Sequence, residues 1–524
     1  MQRLWITPGT DPRTLLAFSR SFSVDLGEKP TMLRPMVATT AVTAALILLA
    51  GCGGDKKSDS GSDNNSGDKS NSSASPTAPS VPTFDPPKSF AIGRAYPVLK
   101  DPAESTLSHA GVALVGKVAV AGNKKVLNGH DVTDPSKTWS MQVPPATTTT
   151  VSMALPPKAV KVDGKDVAVV AYAETDKGNG TQKPQGLVVV RWVDVSTGEK
   201  IAETSTKTGE EQPGLGTVAY DVESGQIAVQ AGSWTVFADP ATKKATLVPG
   251  LEPAAVHNGV IVGQKEATGP QVVDATMVLA DGASGKITKK VGPPMGDFNV
   301  LAGTSKHAYF YGMKYIDYDA GTEAEALYSV DLSTGAVVTT ALPKASAESG
   351  SWTCYSDEAA SVACVQQATA DKGETMIGFD DETGKKTWGF SSDSGNRNVP
   401  EVTAAYHGVI YAKTEAQPVL LDAKTGADLP SATPSGSPSS SDSPSTGSTP
   451  SDGDSPTSGD TPSEGSTPGS DSSSGNGDLS LFDGTLQSPT SVSPYGGVYS
   501  QQPHGDYTVT NELDSVVVFM KATA

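Results

Sequence analysis

Three cysteines and six histidines are the residues of this 524-residue chain with the strongest chemistry to offer. The histidines are His109, His130, His257, His307, His407 and His504. None belongs to an HExxH pair or a Cys-His cluster, and no carboxylate triad appears, so no metal ligand set is expected. GxSxG is absent. Gly378 to Thr387 is one residue too long for a phosphate loop, and its Lys385 is followed by Lys386, so its glycine answers to a tight turn. His109, His257 and His407 each sit beside a Gly-containing turn. They either converge on a shared site or are turn residues without a role. Cys354 and Cys364 lie symmetrically about a turn at 357–360 in SWTCYSDEAASVACVQQ. That spacing sets them opposite each other on one hairpin. An oxidising compartment would join them as a disulfide; otherwise they are buried thiols on a sheet face. No catalytic residue, cofactor-binding residue or metal ligand is expected.

The elements that position these residues come from a repeat. Its clearest copy is MIGFDDETGKKTWGF (376–390): an apolar strand, a Gly-centred turn, and a second strand carrying Trp388. Copies recur at Asp194 (VVVRWVDVSTGEK), Asp331 (LYSVDLSTGAVVT) and Asp422 (VLLDAKTGAD). Thinner ones recur at Asp131, Asp239 and Asp281, with Trp139 in register with Trp388. Successive anchors lie 42 to 63 residues apart, a period that fits a propeller or another repeated β architecture. An upstream hairpin accompanies each copy, as in VTAAYHGVIYAK (402–413). Discounting the 48-residue Ser/Pro tract at 431–478 leaves 49 residues between Asp422 and Phe519, which is one further repeat. The expected fold is all-β: a single propeller of four-stranded blades, eight favoured over seven. The unmatched segment 88–98 (KSFAIGRAYPV) supplies the last blade's missing strand and closes the ring.

This repeat resembles the quinoprotein-alcohol-dehydrogenase-like (PQQ-like) β-propeller family over residues 88–431 and 479–524. The resemblance is carried by an apolar strand, Asp, two or three residues, Thr-Gly and then Trp. Members of that family hold pyrroloquinoline quinone and Ca²⁺ in the central channel, commonly over a disulfide between adjacent cysteines. Cys354 and Cys364 are ten apart, and only Trp139 and Trp388 hold the repeat Trp position. The resemblance therefore implies the fold and no cofactor. A divergent quinoprotein dehydrogenase or other channel-centred enzyme is the alternative.

Met32–Gly51 has Arg34 ahead of an apolar run that is short for a membrane span and ends on small residues, as a signal peptide does. Leu49-Ala50-Gly51-Cys52 resembles the bacterial lipobox, which implies lipidation of Cys52 and an actinomycete-type lipoprotein. Met32 or Met36 is the expected start. Residues 1–51 are then the signal-peptide region and 52–87 a disordered tether spanning about 30–35 Å. Blades one to seven occupy 88–430, a disordered Ser/Pro/Asp-rich insertion 431–478, and the last blade 479–524. Two acyl chains suffice for stable anchoring. Lys+Arg 39 against Asp+Glu 58 gives a net charge of −19, which argues against nucleic acid or an anionic membrane surface as partner. The expectation is a non-catalytic lipoprotein on the outer face of the cytoplasmic membrane, binding a protein or cell-wall partner. A rim patch of Tyr311, Tyr315, Tyr318, Trp352 and Tyr355 is a candidate contact surface.

Overall fold

Thr375–Asp380 and Lys385–Ser391 are the two strands of the clearest repeat, and the turn between them shows why the motif exists. Asp380 is the last residue of its strand, and its carboxylate accepts hydrogen bonds from the Thr383 amide (2.9 Å) and hydroxyl (2.7 Å). Gly384, at φ 65°, closes the turn by donating to the Asp380 carbonyl at 2.8 Å. A carboxylate acceptor at the first position and left-handed backbone at the last favour Asp and Gly, although Lys243 takes the last position in the turn at Asp239. Asp194, Asp331 and Asp422 cap equivalent turns. These hydrogen bonds, from Ser196 and Thr383 above all, hold the Asp194 and Asp380 carboxyls below the usual carboxylate range. The repeated aspartate is thus committed to backbone geometry.

The structure is a computed structural model. It describes residues 81–99, 111–143, 149–178, 181–265, 275–295, 297–317, 322–342, 351–368, 373–394, 397–415, 417–430, 487–501 and 513–524. The chain divides into units Met1–Thr77 and Ala78–Ala524, and every described residue belongs to the second. The signal-peptide region, Cys52, the insertion at 431–478, His109 and His504 lie outside the described residues.

The described strands form eight antiparallel sheets. Seven have four strands in the expected order. Asp131, Asp281, Asp331, Asp380 and Asp422 each stand opposite the first residue of the second strand (Val118, Val260, His307, Ser361 and Val409), and Asp194 stands opposite Val167, the third residue of its longer second strand. The first strands contact one another around the ring and wall a central channel. In the last blade the order runs Ser491–Ser493, Gly496–Gln501, Leu513–Ala522 and then Phe90–Leu99. The N-terminal strand is therefore the outermost strand of blade eight, with Ala95 opposite Val518. Lys521, two residues past Phe519, occupies the anchor register there, opposite Gly496.

Blade two departs from the pattern. Its first strand is interrupted at Pro156-Pro157, which lack amide donors. Thr149–Ala154 and Lys158–Val162 each pair with a different stretch of the long Lys165–Asp176 strand. The added segment accounts for the 63-residue spacing between Asp131 and Asp194.

Apolar side chains from neighbouring blades make shared cores, as where Tyr309 and Leu327 of blade five meet Ile377 and Phe379 of blade six. Two tryptophans fasten seams. The Trp139 indole donates to the Val195 carbonyl (2.7 Å) and the Trp388 indole to that of Ala423 (3.0 Å), one residue past the next blade's anchor aspartate in both cases. Trp388 lies flat between Gly378 of its own blade and Gly426 of the next. A β-carbon at either glycine would come within 2.0 Å or 2.6 Å of the indole.

Antiparallel order gives the ring two distinct faces. The turn face carries the tight turns joining first to second and third to fourth strands. The connection face carries the ends of every other link, including Leu429 and Ser491 on either side of the insertion. Residues 84–89 are docked on the turn face: the Phe84 amide donates to the Pro494 carbonyl (2.8 Å), the Lys88 amide to that of Ala524 (2.6 Å), and the Tyr411 hydroxyl to that of Pro87 (2.8 Å). The chain thus enters the ring from the turn face.

Candidate functional site

The channel wall consists of the first strands of all eight blades, whose small residues (Ala, Ser, Thr, Val) leave a cavity of about 430 Å³ near the turn face. Lys158 reaches into it from blade two and Glu358 from the first turn of blade six; their ion pair is 2.7 Å long. Tyr220, Tyr355 and Tyr406 line the same cavity, and burial pushes all three phenols up, so they remain protonated at neutral pH. Cys354 stands in the wall and is bonded to Cys364, directly opposite it on the neighbouring strand. That hairpin and its disulfide are as the sequence placed them.

The described histidines do not converge. His257 and His407 occupy first turns of blades four and seven, but each engages its own carboxylate. His257 Nδ1 lies 3.1 Å from the buried Asp221 carboxylate and its Nε2 lies 2.8 Å from the Asn258 amide nitrogen. An Nδ1–H tautomer, assigned from these contacts, satisfies both. His407 Nδ1 lies 2.5 Å from Asp85 and its ring stacks on Tyr406. His307 is buried, and its Nδ1–H donates to the Asp381 carbonyl at 2.7 Å. His130 stacks on Tyr96 of the closing strand, 4.3 Å between ring centres, and burial lowers it to about 4.

The seam between blades five and six is polar. Asp381 is buried and accepts from the Thr304 hydroxyl (2.9 Å) and the Tyr309 hydroxyl (2.9 Å). Desolvation raises its carboxyl despite those bonds. A second recess of about 410 Å³ lies beside it on the turn face, between His257 and Asn258 on one side and Lys306, paired with Glu382, on the other.

Two sequence expectations change. Tyr311 and Trp352 form no rim patch: they are buried at 3% and 8% exposure and stack 6.5 Å apart inside the blade five–six core. Tyr355 faces the channel, and Tyr318 and the Tyr315 side chain lie outside the described part of the structure. The apolar–polar alternation of these strands turns the aromatics inward. Met153 is the one exposed large hydrophobic among the described residues. The second change concerns Lys158, Glu358 and Asp381, which carried no sequence signal beyond a lysine after Pro-Pro, an acidic hairpin turn and a doubled Asp380-Asp381.

The described lining does not fit pyrroloquinoline quinone. That group carries three carboxylates, whereas the cavity's one described cation, Lys158, is already neutralised by Glu358. No group of three potential metal-binding side chains occurs among the described residues to hold its Ca²⁺.

No known family profile matches the chain, and no curated sequence is similar to it. Solved structures with a similar fold include the β-propeller domain of the Trilobed protease from Pyrococcus furiosus, described as having an open velcro topology. It is 12% identical with a TM-score of 0.32, over 54% of this chain and 83% of that one. Dihydro-heme d1 dehydrogenase NirN is 10% identical with a TM-score of 0.38, over 67% and 75%. An uncharacterized Listeria monocytogenes protein is 10% identical with a TM-score of 0.33, over 65% and 94%. Similarity at this level concerns the propeller fold alone.

Proposed function

We propose that this chain is a non-catalytic lipoprotein, of the actinomycete type and with PQQ-like repeats, held by Cys52 on the extracytoplasmic side of the membrane. Its propeller is a scaffold or sensor module that binds a protein or cell-wall partner. One observation carries the reading: the chain enters the ring from the turn face, while the variable connections leave from the opposite face. Residues 84–89 occupy part of the turn face, which leaves the connection face open to a partner. The LAGC sequence, the closed ring and the ion-paired channel support the same reading.

The test has two parts. Fractionation of cells carrying Cys52→Ala should move the protein from membranes to the medium; retention in the membrane fraction would contradict anchoring. Photo-cross-linkers placed at exposed Lys125 or Ala368 on the connection face should capture a partner, whereas one at Lys243 on the turn face should not. Capture only from Lys243 would reverse the assignment of the binding face.

A further inference from the structure

Blades two and six stand four places apart in an eight-membered ring, so the Lys158–Glu358 pair spans the channel. Both side chains are partly exposed, at 41% and 29%, and a pair of that kind contributes little stability. Its position matters more than its strength, because the pair crosses the cavity and a ligand seated between the two groups replaces it. A neutral ligand would leave both charges unpaired in a confined space. An anion would satisfy Lys158 and face Glu358, and a cation would do the reverse. A dipolar ligand alone replaces both partners, with its carboxylate on Lys158 and its ammonium on Glu358.

The other walls suit the body of such a molecule. Tyr220 of blade three and Tyr406 of blade seven are also four places apart, so they flank the ion pair from the remaining directions. Tyr355 joins them from the hairpin that carries Glu358. None of the three hydroxyls hydrogen-bonds another described residue, and each is a neutral phenol able to donate to or accept from a peptide group. The volume of about 430 Å³ lies within the ~300–1,000 Å³ of small-molecule sites.

We infer that the turn-face mouth of the channel binds a zwitterionic small molecule of the amino-acid or short-peptide class, held between Lys158 and Glu358. This rests on the reading of the chain as a binding module and names the ligand chemistry of its channel.

Calorimetric titration of the purified full chain tests it with three probes: trialanine with free termini, its acetylated and amidated form, and maltotriose. Trialanine should bind with a Kd below about 1 mM (−4.1 kcal/mol) and the other two at least tenfold more weakly. Lys158→Met and Glu358→Gln should each weaken trialanine at least tenfold while leaving the thermal midpoint within about 2 °C of the parent. Equal binding of free and capped peptide, binding of maltotriose alone, no binding of trialanine at millimolar concentration, or undiminished binding by both variants would each overturn the inference. Anchoring and partner capture are read at Cys52 and on the connection face, so their failure is scored separately from failure at the channel.

Discussion

The two faces of the ring are built under different constraints. On the turn face many of the aspartates have a backbone task. The anchor aspartates cap their own turns, and others reach across a seam. Asp357 accepts from the amides of Ala359, Ala360 and Ser361 at 2.8 to 3.0 Å, and also from Gly408 of blade seven at 3.1 Å. Asp221 plays the matching part toward His257 of blade four. On the connection face the links vary in length and share no motif. Turn geometry dictates residue type, whereas a connection needs only to span a distance. Backbone constraint is thus concentrated on the turn face, and sequence freedom on the connection face.

Four perturbations should break or sharpen that contrast. The largest effect is expected from Asp357→Ala, which strands four buried or half-buried amides and should cost more than about 3 kcal/mol in denaturant unfolding. Acidification comes next and acts at the closing seam. Burial holds folded His130 at about 4 against an ordinary 6.5, so the unfolded chain takes up a proton that the folded chain refuses. Its contribution is complete above pH 6.5, declines as pH falls from 6.5 toward 4, and amounts to roughly 3 kcal/mol. His130→Gln should flatten the stability profile across that window. Asp131, Asp194, Asp281, Asp331 and Asp380 have lowered values, so their contribution is lost only as pH falls below the ordinary carboxyl range. Asp381, whose value is raised, acts in the opposite sense: its contribution is present at low pH and lost as pH rises.

Trp388→Ala should follow, at about 2 kcal/mol, because the indole is half-buried and its hydrogen bond to Ala423 goes with it. Removal of residues 431–478 from the connection face should change stability least, by under about 1 kcal/mol, since loop length enters only logarithmically. A loss comparable to that of Asp357→Ala would erase the distinction between the faces.

The same contrast governs how much could be read from sequence. The Asp-to-Gly turn, Trp139 and Trp388, the closing strand and the paired cysteines were legible because each obeys a local rule of turn geometry or strand register. The broken first strand of blade two was hidden inside a long spacing, although Pro156-Pro157 gives its cause. Tyr311 and Trp352 were misplaced on the rim because aromatic composition does not say which side of a strand is buried. Lys158 and Glu358 are 200 residues apart and meet only because the ring sets blade two opposite blade six. No local pattern encodes that contact.

Intact-mass spectrometry of the protein extracted from membranes tests the central claim of an anchored propeller most directly. The account predicts a chain beginning at Cys52, heavier than its polypeptide by a diacylglyceryl group, and lighter by two hydrogens for the Cys354–Cys364 bond. A chain that retains residues upstream of Cys52, or one that begins there without lipid mass, would contradict it.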